Sequence, residues 1–121
     1  MSYLNLINQS LISKITEKEL VLDLFAGCGG LALGFEAAGF ETIGFEMNPD
    51  AANTYKKNLA GDCRIEKLTL DTEYPSADIV IVVPPCQPFR VGCNQNGIHH
   101  SMNGFHFFID AIRKVKPKVF L

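Results

Sequence analysis

The apolar run Asp78-Ile79-Val80-Ile81-Val82-Val83, followed at once by Pro84-Pro85, constrains the fold of this chain more than any other stretch. Near-continuous Ile and Val suit a central parallel strand covered on both faces. The two prolines must end it, because proline lacks the ladder donor and restricts the residue before it. The strand therefore exits into a stiff, non-helical loop, Pro84-Pro85-Cys86-Gln87-Pro88-Phe89, which presents a thiol. That is how a nucleophile is displayed.

Strands and helices alternate around this element. Leu20 to Phe25 reads as a buried first strand, and Leu31 to Ala38 as a helix stopped by Gly39 at C′. Glu41 to Glu46 is the second strand. Asn48-Pro49-Asp50 supplies an N-cap, a proline at the first helical position and an acid in the first turn, so a helix runs to about Leu59. A third strand falls within Arg64 to Leu70. Gln87 to Asn103, with Gly92, Asn94, Asn96 and Gly97, reads as a long polar loop, a kind that is usually functional inside a compact domain. Phe105 to Lys114 reads as a helix, with Phe105, Phe107, Phe108 and Ile109 as core residues. Val119-Phe120-Leu121 starts a strand expected to lie beside Asp78 to Val83. The alternation implies a parallel sheet with helices on both faces. Residues 1–19 carry Leu4, Ile7, Leu11 and Ile15 at helical spacing and read as an amphipathic packing segment ahead of a domain over 20–121.

Composition narrows the function classes. With 11 basic and 13 acidic residues in 121, the chain lacks the strong positive charge of an autonomous nucleic-acid binder, so any grip on DNA is local or supplied by a partner. No apolar run approaches the ~20 residues that span a bilayer, and no secretory signal accompanies the cysteines. A soluble, cytoplasmic protein with reduced thiols is expected. Cys28, Cys63, Cys86 and Cys93 show no CxxC pair, and His99, His100 and His106 do not complete a zinc pattern, so no metal is expected. Cys28, Cys63 and Cys93 read as buried structural thiols, and His99 and His100 as solvent-facing.

A second block, Asp23-Leu24-Phe25-Ala26-Gly27-Cys28-Gly29-Gly30-Leu31, has the look of a strand, a glycine turn and a helix start that lets a nucleotide-like cofactor approach the backbone. Glu46 closes the second strand 19 residues after Gly27, near the ~20-residue offset at which a carboxylate reaches ribose hydroxyls. The glycine spacing is not GxGxxG, which weakens the dinucleotide reading, and with it that of a dehydrogenase. A cofactor without a pyrophosphate fits better.

Together the two blocks resemble the cytosine-5 DNA methyltransferase family, over approximately residues 20 to 121. The tail adds to the likeness, since Phe108-Ile109-Asp110-Ala111-Ile112-Arg113 and Lys116-Pro117-Lys118-Val119-Phe120-Leu121 resemble the lead-in to the family's Glu-Asn-Val motif. The resemblance implies a Rossmann-like S-adenosylmethionine-dependent methyltransferase fold, incomplete at the C-terminus. It also implies that Phe25, Ala26, Gly27, Gly29 and Gly30 wrap the methionine end of S-adenosylmethionine, that Glu46 holds the ribose and that Met47 covers the adenine. An acid near the end of the third strand is implied as well, with Asp62 and Glu66 both candidates. By the same resemblance Cys86 is the nucleophile that adds to carbon 6 of a cytosine flipped out of duplex DNA, Pro85 shapes the base pocket and Gln87 lies on the DNA-facing loop. Carbon 5 then takes the methyl group.

The chain departs from that family at several positions. Arg90 stands in place of a small serine. Val82 and Val83 replace glycine before the prolines and are expected to crowd the methyl-transfer pocket. His100-Ser101-Met102 replaces an Asp-x-Arg pattern. The sequence stops before the Glu-Asn-Val motif. The expectation is therefore an enzyme fragment or split half of restriction-modification type, inactive alone and completed by a C-terminal methyltransferase polypeptide. The alternatives are a tRNA cytosine-5 methyltransferase fragment and a non-catalytic cofactor-binding remnant.

Overall fold

The computed structural model describes residues 2–12, 19–83 and 97–121, and for 97–105 the backbone course alone. Nine elements follow in order: α1 (Tyr3–Ser10), β1 (Leu20–Leu24), α2 (Gly30–Ala37), β2 (Glu41–Glu46), α3 (Pro49–Asn58), β3 (Asp62–Ile65), β4 (Ile79–Val82), α4 (Gly97–Val115) and β5 (Val119–Phe120). The strands form one parallel sheet in the order β3-β2-β1-β4-β5. The chain runs from β1 outward to β3, then returns to the other side of β1 for β4 and β5, so the order reverses between β1 and β4. In open α/β sheets that reversal opens a crevice at the carboxyl ends of the strands.

Because strand side chains alternate between faces, each face acquires its own core. Leu22, Leu24, Phe45 and Val80 cluster with Leu68, Ala77 and Ala111 of α4. On the other face Ala32 of α2 meets Ala52 and Tyr55 of α3, with Leu59 and Cys63. Leu22, Leu24 and Val80 are fully buried, each contributing about 1.5–3 kcal/mol relative to exposure. This is the expected parallel sheet with helices on both faces.

Local chemistry sets the boundaries. Asn48 caps α3 by accepting from the amides of Asp50 (2.9 Å) and Ala51 (3.2 Å), with Pro49 at the first helical position. Gly39, at φ 104°, ends α2 in a left-handed conformation that a Cβ would oppose. β5 pairs with β4, Ile79 opposite Val119.

The structure corrects five expectations. β3 begins at Asp62 rather than within 64–70, because its register is set by β2, with Asp62 opposite Ile43. α4 begins at Gly97, so 97–103 is helical rather than loop; the stretch is polar but holds no proline before Pro117 to interrupt helical bonding. Ile109 is exposed, since at 3.6 residues per turn it points away from Phe107, Phe108 and Ala111, which face the sheet. Within the described part of 1–19, α1, capped by Ser2, buries no side chain where packing was expected; its apolar residues Leu4 and Leu6 fall on different sides of so short a helix. Cys28 is exposed at the tip of the glycine turn, where none of the described elements covers it, while Cys63 is buried as expected. Ile15, Cys93, Arg90 and the side chains of His99, His100 and Met102 lie outside the described residues.

Candidate cofactor site

The first glycine turn continues directly from β1. Phe25, the first residue after the strand, has φ 56°, a left-handed conformation costing a non-glycine residue about 1–2 kcal/mol. Three hydrogen bonds hold it there: Ala26 N–H donates to the Phe45 carbonyl (3.0 Å), Gly29 N–H to the Ala26 carbonyl (3.0 Å) and Gly27 N–H to Glu46 Oε2 (2.8 Å). The other Glu46 oxygen accepts from Asn48 N–H at 3.0 Å. One carboxylate at the end of β2 thus joins the turn after β1 to the cap of α3. A Cβ placed on Gly27 or Gly30 would meet nothing within 4 Å, so the space in front of the turn is open. Behind the turn the opposite holds, for a Cβ on Gly29 would lie 2.6 Å from the Tyr55 ring.

Beside the turn lies a cleft of about 310 Å³, at the lower end of the range for small-molecule sites. Its walls come from the carboxyl ends of four strands: Phe25 after β1; Phe45, Glu46 and Met47 at the end of β2; Glu66, Lys67 and Leu68 after β3; and Val83 after β4, with Phe107 of α4 closing one side. Phe25, Phe45 and Phe107 supply flat apolar surface. Glu46 and Glu66 supply carboxylate acceptors. Flat apolar surface beside such acceptors suits a nucleoside.

Of the sequence-derived candidates, Phe25, Glu46 and Met47 line the cleft, and Met47 is exposed at its mouth. Ala26, Gly27, Gly29 and Gly30 do not line it; they form the turn that Glu46 ties to its rim. Of the two acids considered after the third strand, Glu66 lies on the cleft wall. Asp62 sits at the amino end of β3, where its Oδ1 accepts from Cys63 N–H (2.8 Å) and lies 3.9 Å from Lys56 Nζ. Val83 also lines the cleft. Pro85, Cys86 and Gln87 fall outside the described residues. Phe45, Lys67, Leu68 and Phe107 are additions that sequence reasoning missed; for Phe45 the signal was its place directly before the strand-ending Glu46.

Beneath the turn, on the face covered by α2 and α3, Asp23 is 2% exposed, and its Oδ2 has no hydrogen-bond partner among the described residues. Burial, reinforced by the Glu46 charge, pushes its carboxyl up to about 7. Cys63 on the same face is pushed up to about 11, chiefly by burial and then by Glu46, as expected of an unreactive thiol.

Comparison with known proteins accords with this geometry. The family model for C-5 cytosine-specific DNA methylase matches residues 20–121. The chain is 46% identical to Type II methyltransferase M.AplI of Arthrospira platensis, over 98% of this chain and 35% of that protein. It is 34% identical to Type II methyltransferase M.BsuFI of Bacillus subtilis, over 83% of this chain and 25% of that protein. The chain thus spans about a third or less of the length of these relatives. Among solved structures it is similar to the Pyrococcus abyssi tRNA (uracil-54, C5)-methyltransferase in complex with S-adenosyl-L-homocysteine, with TM-score 0.52 and 21% identity over 96% of this chain and 26% of that one. It is also similar to a TehB-like SAM-dependent methyltransferase of Corynebacterium glutamicum, with TM-score 0.50 and 16% identity over 84% of this chain and 53% of that one. At these identities the likeness to solved structures establishes the fold: a Rossmann-like methyltransferase sheet.

Proposed function

This chain belongs to the C-5 cytosine-specific DNA methylase family, and from that membership we propose that it is the cofactor-binding and nucleophile-bearing portion of a restriction-modification enzyme that methylates carbon 5 of cytosine in duplex DNA. The observation that carries the reading is the Glu46 carboxylate, bonded to Gly27 N–H at 2.8 Å, on the wall of a cleft at the sheet's reversal point. Glu46 would hold the ribose hydroxyls of S-adenosylmethionine, Glu66 the adenine amine, and Phe25, Phe45 and Met47 the faces of the base. The open space before Gly27 and Gly30 would take the methionine end. When bound, the cofactor supplies a methyl group activated by a sulfonium.

The remaining chemistry belongs to the protein. Cys86, carried on the loop after β4, would add its thiolate to carbon 6 of a flipped cytosine, making carbon 5 nucleophilic, and would leave again once carbon 5 has lost its proton. Pro85 would shape the base pocket and Gln87 would face the DNA. The relatives are about three times as long as this stretch, so we place target recognition and activation of the base at N3 in a C-terminal methyltransferase polypeptide docked beyond β5, where Val119, Phe120 and Leu121 are exposed.

Equilibrium binding and labelled-methyl transfer test the proposal together. The chain is expected to bind S-adenosylmethionine and to transfer no methyl to duplex DNA alone. Transfer should appear on addition of the C-terminal portion of the Arthrospira relative and vanish in Cys86→Ala. Absence of cofactor binding would overturn the cofactor reading; transfer surviving Cys86→Ala would overturn the nucleophile.

A further inference from the structure

Among the described residues, Asp23 is the one buried carboxyl of the sheet that the proposed reaction does not use. It lies on β1 between Gly44 of β2 and Ile81 of β4, on the face covered by α2 and α3, and only Leu24 separates it from the glycine turn. Every titratable group facing it among the described residues is acidic or neutral. Glu46 stands at the end of β2; Glu36 of α2 is fully buried; Tyr55 of α3 and Cys63 of β3 complete the set, and β4 brings no charge. Lys56 of α3 lies 3.9 Å from Asp62. Glu36 has its own partners, accepting from Gly61 N–H (2.9 Å) and Ala60 N–H (3.2 Å). Asp23 Oδ2 has none.

A buried carboxylate beside another carboxylate is unfavourable, and the group lowers that cost by taking up a proton. A cation arriving nearby reverses the balance, because in a water-poor surround its attraction for the carboxylate is strong. The open space in front of Gly27 and Gly30 is where such a cation would come to rest. We propose that Asp23 couples proton binding to cofactor binding: the carboxyl is protonated while the site is empty and ionises when the cationic methionine end of the cofactor settles on the glycine turn. This rests on the cofactor reading given above. Asp23 acts as a positioning residue, through the field under the turn and without touching the ligand. Its carboxyl, pushed up to about 7 by burial and by Glu46, is set where small changes of pH alter its charge.

The test uses the whole chain. Selective carbon-13 labelling of aspartate carboxyls follows Asp23 directly, with Asp23→Asn identifying its signal. The carboxyl should titrate near neutrality in the empty protein and remain ionised at pH 6 with saturating S-adenosylmethionine. Calorimetry of S-adenosylmethionine binding at pH 6.5, in two buffers of different ionisation heat, should show release of most of one proton from the parent beyond that from Asp23→Asn. The affinity of the parent, relative to that variant, should rise about tenfold from pH 5.5 to 6.5. A carboxyl already ionised at pH 5 in the empty protein overturns the proposal whether or not the cofactor binds. Binding with no extra proton release overturns the coupling and leaves the cofactor reading intact; no binding at all overturns both.

Discussion

Replacing Glu46 separates its two duties, because the same carboxylate fastens the glycine turn and lines the cleft. Its Oε2 accepts from Gly27 N–H at 2.8 Å in a part-buried setting and its Oε1 from Asn48 N–H at 3.0 Å in an exposed one. A hydrogen bond to a charged group contributes about 1.5–3 kcal/mol when shielded and less in water. Glu46→Ala should therefore cost about 2 kcal/mol of stability, most of it from the turn. The loss is magnified in function, because the turn must also hold Phe25 at a positive φ. Removing the ribose acceptor should cost a further 1.5–3 kcal/mol of binding, roughly 10- to 100-fold in Kd. Glu46→Gln keeps a carbonyl for one amide but aims an NH2 at the other, so its stability loss should be smaller while the affinity loss persists. Urea denaturation gives the first quantity and calorimetry with S-adenosylmethionine the second. Unchanged affinity in both variants would remove Glu46 from the ribose role, and unchanged stability in Glu46→Ala would show that the turn stands without it.

Gly61→Ala tests the loop between α3 and β3: the added Cβ would lie 2.1 Å from the Thr42 carbonyl oxygen, so the loop must move and the Glu36 bonds to Ala60 and Gly61 must break. Stranding a buried carboxylate should cost about 3–5 kcal/mol, read as a lowered urea midpoint; a loss under ~1 kcal/mol would mean that the loop relaxes freely. Asp78 should confer acid sensitivity. Its carboxyl accepts from Leu20 N–H (3.0 Å) and lies 3.5 Å from Lys118 Nζ, and these hold it below its usual range, the amide bond foremost. Its folded value is depressed, so its contribution is complete above the unfolded value near 4 and disappears as pH falls through the folded one. Asp78→Asn should flatten the stability profile below pH ~4, and an unaltered profile would refute the assignment.

The sequence was legible where backbone chemistry is local. Asn48-Pro49-Asp50 placed the start of α3, Gly39 the end of α2, and the Ile/Val run the strand beside β1, because caps, positive φ and two-sided burial each leave a residue signature. β3 left little, since in the DCRI segment only Cys63 is buried and no alternation survives at an exposed edge. The start of α4 was hidden by its polar residues, and Ile109 was misplaced because composition does not show helical phase. Within the site, Glu46 and the glycine turn followed from their spacing. The choice of Glu66 over Asp62 did not, because it depends on which end of β3 each acid occupies. Asp23 lies inside the motif that was singled out, yet its isolation follows from what α2, α3 and β3 place around it, which no short segment records.

The buried Tyr55 side chain touches three parts of the structure. Its ring fills the space that Cβ atoms on Gly29 and Gly44 would need, 2.6 and 2.9 Å away, and its hydroxyl donates to Thr42 Oγ1 at 2.9 Å. A single ring from α3 thus braces the glycine turn, the middle of β2 and the start of β2 from behind. Tyr55 thus supports the turn from behind, although 25 residues lie between Gly29 and Tyr55 along the chain. The cofactor turn and the helix behind it should therefore gain and lose order together.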